Sequence, residues 1–144
     1  MHRFLYLAGL VLLAPCAAIA EEAAKPSTPE MKEKFQTVIR GQLAAFRKGD
    51  FAAAYKFAAA GIREQFPLAE FEAMVKSSYP SIAKNTDAVF GLTLDDGDKA
   101  VVNVRVVGEK DESASYQYLL QREGEEWRIG GVYKLREEAK PAPI

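Results

Sequence analysis

The apolar residues of this 144-residue chain change period once, at Thr86. Before that point they recur every three or four residues, the spacing that lines one face of a helix; after it they alternate, the spacing that lines one face of a strand. A chain with helices first and strands afterwards cannot build the alternating strand–helix units of a parallel sheet. It is held to an antiparallel sheet with helices gathered on one side, an α+β fold.

Three helices are expected. The first opens at Ser27 or Thr28, where a hydroxyl can cap free N–H groups, with Pro29 and Glu30 suited to the first turn. Met31, Phe35, Val38, Ile39, Leu43 and Phe46 then form its apolar stripe, and Gly49 closes it. Asp50 caps a second helix, Phe51 to Ala60, which Gly61 stops. Ile62 and Phe66 read as one anchoring turn. Pro67 starts a third helix with Phe71, Met74, Val75 and Ser78 along one side, and Tyr79-Pro80 ends it, because a residue preceding proline avoids helical backbone.

Four antiparallel strands follow. Asp95-Asp96-Gly97-Asp98 marks a hairpin turn, and charged clusters at Lys110-Asp111-Glu112 and Glu123-Gly124-Glu125 separate the later strands. Alternation assigns Phe90, Leu92, Leu94, Val102, Val104, Val106, Tyr116, Tyr118, Leu120, Trp127, Ile129 and Tyr133 to the helix-facing side. The opposite side mixes Asn103, Arg105, Ser115, Gln117, Gln121 and Arg128 with Val101, Val107, Leu119 and Val132, too apolar for a fully solvated face. Gly130-Gly131 predicts a bulge or sharp bend, and so a curved sheet.

His2 and Arg3, the apolar run Phe4 to Leu13 and the small residues at Ala18 and Ala20 read as a cleavable export leader over residues 1–20. The run is shorter than the ~20 residues a membrane-spanning helix needs. Leu13-Ala14-Pro15-Cys16 also partly resembles the site at which exported bacterial lipoproteins are cut and lipidated, although Pro15 stands where that pattern wants a small residue. Cleavage after Ala20 removes the only histidine and the only cysteine. It leaves 18 Lys+Arg (19 less Arg3) against 20 Asp+Glu, a net charge of −2, with no basic footprint for nucleic acid. The expected organisation is a linker over 21–26, one domain over 27–136 and a mobile tail over 137–144.

The segments Ile39-x-x-Gln42-Leu43-x-x-Phe46-x-x-Gly49-Asp50-Phe51-x-x-Ala54-Tyr55 and Trp127-Arg128-Ile129-Gly130-Gly131-Val132 resemble the cone-shaped superfamily of nuclear transport factor 2, which includes ketosteroid isomerases. The segments Ala60-Gly61-Ile62-Arg63-x-x-Phe66 and Phe71-x-x-Met74-Val75-x-x-x-Tyr79-Pro80 are similar to an exported bacterial family within it, known only as a domain of unknown function. The resemblance implies three helices on a curved four-stranded sheet and is silent on activity, because that superfamily holds enzymes, ligand binders and dimerisation modules.

A processed chain without histidine or cysteine excludes Ser-His and Cys-His catalysis, Cys/His zinc sites and thiol redox chemistry. The isomerase alternative needs a carboxylate base beside a tyrosine or neutral acid in a dry pocket, and no carboxylate falls at an inward mid-strand position. No catalytic residue, metal or cofactor is assigned. Asp95, Asp96 and Asp98 could offer oxygens to calcium, but the turn already accounts for them. Two functional readings remain. Tyr55, Tyr79, Tyr116, Tyr118 and Trp127 could line a pocket for a small apolar ligand, the alternative being that they fill the core. Val101, Arg105, Leu119 and Val132 could build a homodimer or partner surface, and related cones pair through their sheets.

Overall fold

The computed structural model describes residues 24–136. The expected leader over residues 1–20, with His2, Cys16 and the cleavage pattern, and the expected tail over 137–144 lie outside the described residues. Within them the chain is a mixed α+β fold of five α-helices and a five-stranded antiparallel sheet, so the expectation of three helices on four strands needs correction.

The extra strand is β1 (Lys25–Pro26), in the segment read as a linker. It pairs with the end of β2 (Asn85–Asp95), and the Ser27 hydroxyl donates to Asp95 Oδ1 at 2.5 Å. Helix α1 (Pro29–Arg47) starts as its sequence directs, with Thr28 Oγ1 accepting the Met31 N–H at 3.2 Å. Its buried stripe is Phe35, Ile39, Gln42, Leu43 and Phe46.

Helix α2 (Phe51–Tyr55), capped by Asp50, is half its expected length. The Ala59 N–H donates to the Ile129 carbonyl and the Ile129 N–H to the Phe57 carbonyl, both at 2.8 Å, so pairing with the last strand takes the backbone groups that would have extended the helix. Helix α3 (Ala60–Gln65) then runs through Gly61, the residue expected to end a helix. In α4 (Leu68–Ser78), Phe71 and Val75 are buried and Ser78 is exposed, against expectation. A further turn, α5 (Pro80–Ala83), follows Tyr79, because proline suits the first turn of a new helix. Asn85 fastens these parts together: its Nδ2 donates to the Leu43 and Ile82 carbonyls at 2.8 Å each, while Arg47 donates to its Oδ1 at 2.7 Å.

The strands β2, β3 (Lys99–Gly108), β4 (Ser113–Glu123) and β5 (Glu126–Lys134) lie in chain order. On β3 and β4 the buried set is as alternation assigns it, from Val102 to Leu120. On β2 and β5 it is not. Phe90 faces Val104 but Thr93 faces Val102, so one extra residue sits on β2 and the faces swap: Leu92 is 58% exposed and Thr93 is buried. Likewise Leu119 faces Gly131 while Leu120 faces Ile129, which makes Gly130 the extra residue of a bulge where the paired glycines predicted one. Beyond it Val132 stands opposite the buried Tyr118, on the helix side, and Tyr133 is turned out. Both reverse their expected faces.

The helices cover one side of the sheet, and the core lies between the layers. No described helix is long and apolar enough to cross a membrane.

Candidate functional site

The bulge at Gly130 carries β5 past the helices and leaves a cavity of about 220 Å³ between α1, α3, α4, α5 and the strand. Phe46, Ile62, Phe66, Phe71, Met74 and Ile129 supply most of its apolar wall, and among the described residues no charged side chain lines it. For scale, an apolar cavity of about 150 Å³ in a protein core admits benzene.

Two of the polar groups on the wall are positioned from within the fold. Gln42 is buried on the core stripe of α1, and its Nε2 donates to the Ala54 carbonyl at 3.1 Å, tying α1 to α2. The Tyr79 hydroxyl donates to the Val132 carbonyl at 3.0 Å, beyond the bulge. The Tyr79 ring lies 6.0 Å from that of Tyr116. Tyr118, also on the inner face of β4, is fully buried, and its hydroxyl has no hydrogen-bond partner among the described residues. Burial pushes the pKa of Tyr116 and, more strongly, of Tyr118 upward, and the neighbouring tyrosines add to it. These phenols are neutral donors or acceptors, not bases.

Of the five aromatic residues expected at a pocket, Tyr79 lines the cavity. Tyr116 and Tyr118 stand behind it in the core. Tyr55 is used locally: its hydroxyl lies 2.8 Å from the Arg63 carbonyl and 2.6 Å from that of Phe66, which holds α2 against the α3–α4 junction. Trp127 packs edge-on against Phe35, with ring centroids 4.8 Å apart, and does not line the cavity. Gln42 was missed, although a glutamine within the apolar stripe of α1 was a visible signal. Ile62 and Phe66 read as an anchoring turn and Met74 as part of the apolar side of the third helix, and nothing in their spacing distinguishes a wall from a core.

Among the surface candidates, Val101 and Leu119 pair with each other on the outer face and are half-buried, and Arg105 on the same face donates to Ser113 Oγ at 2.7 Å. Val132 lines the cavity instead. In the β2–β3 turn, Asp96 Oδ1 accepts the N–H groups of Asp98 and Lys99 at 2.9 and 2.8 Å, and these bonds hold its carboxyl below the ordinary carboxylate value. Asp98 is paired with Arg122 and Asp95 with Ser27, so the turn and its neighbours engage all three carboxylates.

No curated protein and no solved structure matches the chain. Residues 28–142, which include the five helices, strands β2 to β5 and the residues that line the cavity, match the family described as a domain of unknown function, DUF4864. The chain belongs to that uncharacterised domain family.

Proposed function

We propose that this protein is a non-catalytic binding module that takes a small, uncharged, largely apolar molecule into the cavity beneath its helices. The observation that carries this reading is the wall itself: about 220 Å³ bounded by aromatic and aliphatic side chains, with Gln42 and Tyr79 as inner polar contacts. Such a lining, apolar with a few fixed polar groups, is what small-molecule sites generally have. A charged ligand would lose its hydration there with no opposite charge to replace it. The isomerase alternative has no carboxylate on this wall to act as base.

Thermal melting of the full chain with benzene, indole and medium-chain alcohols tests the proposal. Binding of at least one class should raise Tm in a concentration-dependent way, and Ile62→Trp, which fills the cavity, should abolish the rise. No stabilisation by any class defeats it.

A second reading rests on a separate observation. Val89, Leu92 and Tyr133, each more than half exposed, accompany Val101 and Leu119 on the sheet face that the helices leave open. Exposed apolar patches mark contact sites, and we propose that a second copy of the chain covers this face. The likeness to the cone-shaped superfamily supports both readings, and the leader over residues 1–20 supports export with a processed chain beginning at Glu21, which an intact mass would test.

A further inference from the structure

A second concavity, of about 740 Å³, lies between the C-terminal end of α1, α5 and the β3–β4 turn and shares Phe46 with the apolar cavity. Its character is opposite to that of the apolar cavity. Among the described residues, Arg47, Lys48, Lys76, Lys84 and Lys110 line it against Glu109 and Glu112, on a chain whose net charge is −1.

Three features distinguish this groove from a scatter of surface lysines. Arg47 is fixed, donating through Nε and a terminal nitrogen to the carbonyl and Oδ1 of the buried Asn85 at 3.3 and 2.7 Å. Lys76 is held over the Phe51 ring at 5.1 Å and paired with Glu72. Lys110 has a backbone φ of 59° and is the only non-glycine residue at positive φ among the described residues. A lysine in that conformation is strained where glycine is not, so its presence at the groove calls for a role in the side chain. Helix ends do attract cations, which accounts for Arg47 and Lys48 at the end of α1 but not for Lys110.

We infer that this groove binds a small soluble polyanion, a molecule carrying several phosphate or carboxylate groups. The groove is more than three times the volume of the apolar cavity, which suits several anionic groups in preference to one. Its concave form suits a small ligand in preference to a flat membrane surface.

Calorimetric titration of the full chain with tripolyphosphate at low ionic strength tests the inference. Saturable binding is expected, weakening steeply with added salt. Lys84→Glu and Lys110→Gly should each weaken it tenfold or more, while Lys32→Glu, on the exposed first turn of α1, should not. Lys110→Gly should also hold or raise Tm, since glycine relieves the backbone, which separates lost binding from lost folding. Absence of saturable binding, equal loss in the Lys32→Glu control, or binding to anionic phosphatidylglycerol vesicles but not to tripolyphosphate would each overturn it. Unchanged binding in Lys84→Glu and Lys110→Gly would overturn it as well, whatever their Tm.

Discussion

The buried hydroxyl of Tyr118 has no partner among the described residues, while Tyr79 and Tyr55 satisfy theirs on backbone carbonyls. A buried polar group without a hydrogen bond costs about 1–3 kcal/mol. Tyr118→Phe removes that cost at nearly constant shape, so urea unfolding of the ligand-free protein should show a gain of about 1 kcal/mol. A loss would mean that the hydroxyl does find a partner in solution. The raised pKa values of Tyr116 and Tyr118 have a related consequence. Folding favours the neutral phenols, so their contribution is complete below the ordinary value of 10.0 and is lost as pH climbs through the raised values.

Among the elements, α1 is positioned by more than its apolar stripe. Gly41 lets the Phe57 ring approach so closely that an added Cβ would come within 2.7 Å of Cζ. Alanine is the better helix former by about 1 kcal/mol, yet Gly41→Ala should destabilise by about 1 kcal/mol net, because overpacking at such a contact typically costs about 1–3 kcal/mol. Thermal or urea unfolding checks the sign. The same elements show how far the sequence could be read. The caps at Thr28 and Asp50, the stripe of α1 and the alternation on β3 and β4 are local patterns, and the structure follows them. Helix α2 departs from its pattern because Ile129, some seventy residues downstream, competes for its backbone. The outer ends of β2 and β5 depart because one inserted residue reverses every later side chain. Gly130-Gly131 announced the second of these bulges, whereas Gly91-Leu92 looked like ordinary alternation. The cavity was legible only in part for the same reason: Tyr79 lies in a local motif, but the wall that faces it is made by a register shift.

At the scale of the whole molecule, the sheet has one face buried under helices and one face open, with Val89, Leu92 and Tyr133 exposed on it. If a second copy covers that face, sedimentation of the unaltered chain should show a concentration-dependent dimer. Leu119→Glu should then yield a monomer with unchanged circular dichroism. A chain that sediments as a monomer at every concentration would remove the dimer reading and leave the cavity reading intact. The bridge between Ala58 and Ile129 bears on a different matter, the order in which the molecule can be assembled. Synthesis runs from the N-terminus, so the segment around Ala58 leaves the ribosome long before the strand that anchors it. Until Ile129 follows, α2 and α3 have no strand to fasten to and the cavity has no far wall. The native fold therefore closes only when nearly the whole domain has been made.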